Sequence, residues 1–136
     1  MVMSKDINKS SEWDSLVSGK QLVAANFWAP WFPYDRTFKP VFESVASEYP
    51  DIKFVNVNVD QMPDIASKHR IQWIPVVKFF CEGKEVGEVV GYIPKEAFKK
   101  EVDRMATNAP SSLANLSSSV KISENRVEER TRQKRG

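Results

Sequence analysis

The spacing of apolar residues along this chain changes period several times, and each change marks an element. Residues 22–28, Leu-Val-Ala-Ala-Asn-Phe-Trp, form a nearly continuous apolar run bounded by turn residues. That is the pattern of a central strand covered on both faces. Over residues 34–49 the period becomes helical. Phe38, Val41, Phe42, Val45, Ala46 and Tyr49 share one side, with Lys39, Glu43 and Glu48 on the other. Pro40 falls inside this stretch, has no N–H to donate, and is expected to kink the helix. Residues 52–59 alternate into a β-branched strand. Asp60 and Pro63 then open a helix through Lys68, since proline is preorganised for a first turn.

Beyond Ile74-Pro75, residues 76–80 and 86–90 read as two strands around a turn at Glu82-Gly83-Lys84, which makes a hairpin. Pro94 starts a last helix in which Phe98, Val102 and Met105 share a face. Upstream, residues 5–8 suggest a short edge strand. Residues 11–17 form a short helix with a Ser-x-x-Asp start and a stop at Gly19. The order is β-α-β-α-β-α-β-β-α. A β-α-β crossover joined to a terminal hairpin implies an α/β fold, a central mixed sheet flanked by helices.

The composition agrees with one globular domain: 136 residues, 41% hydrophobic and 28% charged. No segment approaches the roughly 18 uninterrupted apolar residues of a membrane span. The first residues, Met-Val-Met-Ser-Lys-Asp, have no apolar core of a secretory signal. A cytoplasmic location and no membrane partner are therefore expected, and two Asn-x-Ser matches at Asn8 and Asn115 are read as chance.

Charge divides the chain. Residues 1–106 hold 14 Lys and Arg against 15 Asp and Glu, whereas residues 107–136 hold 6 against 3. The first segment is the expected domain. The second is rich in Ser, Ala and Asn, then charged and basic, and is expected to be a flexible solvated tail. Leu113, Leu116, Val120 and Val127 leave a partner-induced helix as the rival reading of that tail. Its Arg130–Arg135 cluster suggests an acidic protein or a nucleic acid as a contact, although Glu128 and Glu129 dilute it.

Three separated stretches carry a family resemblance: Phe27-Trp28-Ala29-Pro30-Trp31 before a turn, Val57-Asn58-Val59-Asp60-Gln61, and Trp73-Ile74-Pro75-Val76. Together with the element order they resemble the thioredoxin family over about residues 5–106, which implies the thioredoxin fold. The resemblance also implies that Pro75 is a cis-proline facing the active-site turn, with substrate backbone pairing against the residue before it. Trp31, Ile74, Pro75 and Gly91 would then line a peptide-binding groove. Pro33-Tyr34 is similar to the middle of the glutaredoxin Cys-Pro-Tyr-Cys turn. The thioredoxin-like modules of multidomain monothiol glutaredoxins are a second comparison, but no Cys-Gly-Phe-Ser follows here.

The departures from the family decide the chemistry. Phe32 stands where the resemblance places the nucleophilic thiolate, and Asp35 where it places the resolving thiol. A dithiol cycle needs both. As a first-turn carboxylate, Asp35 is expected to gain from the helix dipole. The family's buried acid and neighbouring lysine correspond to Asn26 and Asn56, two neutral amides. A site with no proton to move has no use for a buried charge.

The remaining candidates are weaker. Cys81, the single cysteine, is expected to be structural and partly buried, with a residual monothiol activity as the alternative. His69 is expected to be an exposed residue near a helix C-terminus. One His and one Cys exclude a zinc site built on nitrogen and sulfur ligands. No Gly-rich phosphate loop is present, and neither a cofactor nor a metal is expected. Trp31, Phe32, Tyr34 and Trp73 are expected to be exposed around one turn and its facing loop, unless Tyr34 and Trp73 cover each other. The leading expectation is a thioredoxin-fold protein without oxidoreductase activity that holds a protein or extended peptide along Trp31, Phe32, Pro33, Tyr34, Trp73, Ile74, Pro75 and Gly91. The rivals are a thiol redox protein acting through Cys81, or a structural subunit docked by its basic tail.

Overall fold

The computed structural model of the chain describes residues 4–108. Its elements are β1 (Lys5–Asp6), α1 (Ser10–Val17), β2 (Val23–Trp28), α2 (Pro33–Ala46), β3 (Lys53–Asn58), α3 (Pro63–Lys68), β4 (Val76–Cys81), β5 (Lys84–Val90) and α4 (Lys95–Asn108). This is the expected order. The five strands form one mixed sheet in the order β1-β3-β2-β4-β5. β1 and β2 run parallel to β3, while β4 runs antiparallel to both β2 and β5.

Strand alternation splits the core in two. On one face Phe38, Phe42 and Val45 of α2 and Phe98, Val102 and Met105 of α4 close over Ala24, Phe54, Val77, Phe79 and Val89. On the other face Trp13 and Val17 of α1 and Ile65 of α3 close over Val23, Ala25, Phe27, Val55, Val57, Val76 and Phe80. β2 is therefore covered on both sides, as its apolar run requires.

Several boundaries differ from expectation for local reasons. α2 gives out at Ala46 because the next bonds tighten: Glu48 N–H donates to Val45 O and Tyr49 N–H to Ala46 O. Tyr49 still packs on the core, and its hydroxyl donates to Asp103. α2 continues through Pro40, whose ring is exposed, as one helical span. β4 reaches Cys81 and β5 starts at Lys84. The two-residue turn between them puts Glu82 at φ 52° and Gly83 at φ 80°, the left-handed pair such a hairpin uses. α4 runs to Asn108. The tail expectations, which concern almost all of 107–136, lie outside the described residues from 109 onward.

His69 does not sit exposed. It is half-buried against Phe80, with ring centroids 5.0 Å apart, and its Nε2 accepts a hydrogen bond from Trp13 Nε1 at 3.1 Å. Burial holds its pKa below the ordinary value of 6.5, with Lys68 and Lys78 pushing the same way. The ring serves as a neutral acceptor for a fully buried indole, which would otherwise lack a partner.

Gly87 of β5 marks a close approach. A methyl group there would lie 2.3 Å from Met105 Cε and 2.7 Å from Sδ, and Met105 is itself buried. Gly87→Ala is expected to lower stability by about 1–3 kcal/mol through overpacking. Met105→Ala leaves a cavity and costs stability itself, but in that background Gly87→Ala should cost less than in the wild type. Urea melts of the wild type, both single variants and the double variant measure the coupling. Strictly additive effects would show that the two sites do not meet.

Candidate functional site

The turn after β2 is built from its own backbone and one carboxylate. Phe32 N–H donates to Ala29 O at 3.2 Å, and Phe32 then enters α2 as an extended N-cap residue with Pro33 first in the helix. One turn further, Asp35 reaches back. Its Oδ2 accepts the Ala29 N–H at 2.7 Å and closes the loop from inside. Asp35 is 1% exposed, and among the described residues its Oδ1 has no hydrogen-bond partner. Burial raises its pKa from 3.8 to about 6, against the opposing pull of the Ala29 N–H. It does lie in the first turn of α2, as the sequence suggests. Its burial, however, outweighs the benefit expected there for a charged carboxylate.

Strand register brings the other pieces to the same end of the sheet. Val59 N–H donates to Trp28 O at 2.9 Å, so the residues after β3 lie beside the turn. Trp31 Nε1 reaches the exposed Asp60 there, donating to Oδ2 at 2.7 Å. Val76 pairs with Phe27 near the end of β2, which places Ile74-Pro75 alongside the turn residues. The Ile74–Pro75 bond is cis. Val90 pairs with Val76, and the next residue, Gly91 at φ 87°, donates its N–H to Pro75 O at 2.7 Å. That φ is open to glycine and strained for other residues.

Aromatic rings cover this end. Trp31 and Tyr34 flank Phe32, with centroids 5.9 and 5.7 Å away in edge-on contacts. Phe32 is half-buried rather than exposed as expected, because those two rings and the closed turn enclose it. Tyr34 and Trp73 do not cover each other. They are 60% and 66% exposed and make no ring contact with one another. Pro33 is exposed, Ile74 and Gly91 are partly covered, and Pro75 is buried. Lys39 Nζ sits 4.4 Å from the centroid of the Trp28 ring, a cation–π contact on the same end.

Below the turn, Asn26 and Asn56 face each other in register on β2 and β3, both buried. Asn26 Nδ2 donates to Asn56 Oδ1 at 3.4 Å. Asn56 Nδ2 donates to Ser4 Oγ at 2.8 Å and to Asp6 Oδ1 at 3.2 Å. Cys81 lies elsewhere, at the far end of β4 and roughly 17 Å of strand from Val76. It is 2% exposed, its Sγ donates to Lys20 O at 3.4 Å, and burial first, then Glu82, pushes its thiol up from 9.0. Among the described residues no group of three His, Cys, Asp or Glu is placed to hold a metal ion.

Two residues at this end escaped the sequence reading. Asp60 entered as a helix opener, but Asn58 Oδ1 caps its N–H at 2.9 Å and turns its carboxylate toward Trp31. Tyr92, 42% exposed, packs edge-on against Phe38 with centroids 6.2 Å apart. Its position directly after Gly91 was the available signal.

Comparison with known proteins places these features in a family. The model of the family described as Thioredoxin matches residues 4–104. A thioredoxin of Mycoplasmoides gallisepticum is 38% identical over 96 residues, covering 71% of this chain and 96% of that protein. A chloroplastic M-type thioredoxin of Pisum sativum is 38% identical over 100 residues, covering 72% of this chain and 58% of that longer protein. Among solved structures, the oxidised thioredoxin of Plasmodium falciparum superimposes with a TM-score of 0.70 at 27% identity, covering 76% of this chain and 98% of that one.

The buried carboxyl of Asp35 makes stability depend on pH. The folded carboxyl holds its proton more tightly than the unfolded one. The stability tied to it is therefore complete below about pH 4 and is lost as the pH rises through about 6. Asp35→Asn keeps an acceptor for the Ala29 N–H and removes the charge. It is expected to stabilise the protein by about 2–3 kcal/mol above pH 6 and to change little at pH 4. Urea melts of both proteins from pH 4 to 8 check this. The opposite slope contributed by His69 cancels in the difference between the two proteins. A difference that stays flat across that range would show that Asp35 is not desolvated.

Proposed function

The chain belongs to the thioredoxin family, and from that premise we propose that it binds a protein or extended peptide at this end of the sheet without running a dithiol–disulfide cycle. The observation that carries the reading is the occupancy of the turn: Phe32 and Asp35 stand at the two positions where the family resemblance places thiols. Neither side chain can attack a disulfide or resolve a mixed one. The only cysteine in the chain is Cys81. A buried thiol with a raised pKa, bonded to a backbone carbonyl at the opposite end of β4, is a poor nucleophile, which weighs against the monothiol alternative.

Two features support the binding half of the reading. Exposed apolar surface concentrated at Trp31, Tyr34 and Trp73 is of the kind that marks interaction sites. Among the described residues no hydrogen bond engages the backbone N–H or C=O of Ile74, which leaves both available to pair with an extended peptide. The reading of the chain as a structural subunit docked by its basic tail depends on residues beyond 108, and no feature of the described residues favours it.

Catalytic silence is the expected outcome in an insulin-reduction assay driven by dithiothreitol. The rate should equal the control without protein, and Cys81→Ser should leave it there. A rate comparable to that of a dithiol thioredoxin would sink the proposal. If that activity vanished in Cys81→Ser, it would belong to the monothiol alternative.

A further inference from the structure

Three aromatic residues of the turn pack in succession. Half-buried Phe32 lies between Trp31 and Tyr34, and its contacts with them have interplanar angles of 81° and 62°, so neighbouring rings are turned steeply against each other. Trp31 is 62% exposed, and Trp73 and Tyr92 add two more exposed rings. Trp73 Nε1–H and the hydroxyls of Tyr34 and Tyr92 have no hydrogen-bond partner among the described residues. Beside the Trp31 ring lies a negative charge: Asp60 Oδ2 accepts the indole N–H, and its Oδ1 has no hydrogen-bond partner among the described residues.

We propose that this surface binds a polyproline II segment of a partner protein that carries an arginine or lysine next to its prolines. The inference rests on the peptide-binding reading above and adds the class of peptide. Pairing with the Ile74 carbonyl needs a peptide N–H, which proline lacks and the neighbouring basic residue has, whereas the Ile74 N–H can donate to a proline carbonyl. Contact with the exposed rings of Trp31, Tyr34 and Trp73 makes no demand for an N–H. A polyproline II helix has no internal hydrogen bonds, so its carbonyls are free to accept from indole and phenol donors. Its pyrrolidine rings bury against flat aromatic faces, and its chain loses little entropy on binding.

Charge complementarity selects the basic neighbour. A guanidinium or ammonium stacked on the exposed Trp31 face would also meet the Asp60 carboxylate, which combines cation–π and ion-pair attraction at one point. The same end of the domain already seats a cation on an indole, where Lys39 lies over Trp28. With Phe32 in the thiol position, nothing in this recognition calls for a cysteine in the partner.

The test uses the full chain and three synthetic peptides, with binding followed by isothermal titration. One peptide is an arginine followed by a run of prolines, the second is the proline run alone, and the third is an arginine followed by alternating serine and valine. The arginine–proline peptide is expected to bind saturably. Trp31→Ala and Trp73→Ala should each weaken it about tenfold or more, as for a buried aromatic anchor. Asp60→Asn should weaken it about two- to fivefold, down to the affinity of the proline run, which the variant should leave unchanged. These side chains are exposed, so circular dichroism should show the variants folded. If the serine–valine peptide bound as well as the proline peptide, the groove would stand and the proline assignment would fall. Binding by none of the three would overturn both. If a peptide of residues 120–136 displaced the arginine–proline peptide at the lower concentration, the chain's own end would be the occupant and the partner assignment would be overturned.

Discussion

A strand buried on both faces has only its two backbone edges left to satisfy, and it must satisfy them with other strands. β2 is that strand here. It takes β3 in parallel on one side and β4 antiparallel on the other. This pairing brings the ends of β2, β3 and β5 and the start of β4 to one rim of the sheet. The closed turn at Ala29, the Asp60 carboxylate, the Ile74–Pro75 peptide and Gly91 come together for that reason alone. No local feature of any one of them would draw it to the others.

The turn itself is held by one buried acceptor. The Ala29 N–H points into the domain and needs an acceptor, and a buried carboxylate supplies it at the expense of its own hydration. Beneath it, Asn26 and Asn56 carry dipoles but no charge, and they extend through Ser4 to Glu43 at the domain surface. Among the described residues, the interior of the rim therefore holds one titratable group, Asp35. Its protonation is governed mainly by burial, with no buried charge set against it.

Much of this was legible in the chain before any coordinates. The faces of α2 and α4 follow helical spacing at Phe38, Phe42, Val45, Phe98, Val102 and Met105. Pro63 and Gly83 announce their turns, and the thioredoxin resemblance rests on three short stretches that the fold does bring into one sheet. The misreadings share a cause. His69 meets Trp13 across 56 residues of sequence, Trp31 meets Asp60 across 29, and Asp35 becomes buried only because the turn folds over it. Periodicity reports which side of an element faces inward, but not which side chain from elsewhere waits there. Lys78 makes the same point. It lies nearly buried on β4 between Glu85 and Glu88 of β5, at 2.9 and 3.0 Å, in a run that reads as a plain apolar strand.

One consequence of Phe32 concerns time. Where a thiolate occupies that position, a partner can be tethered by a sulfur–sulfur bond, and its release waits on a second reaction that depends on the electron supply of its surroundings. A phenyl ring forms no such tether. Anything docked on this rim stays only as long as its non-covalent contacts last, so its lifetime is a dissociation rate and its occupancy a matter of concentration. Under the proposed function, the ligand state of this surface would be indifferent to the redox poise around it.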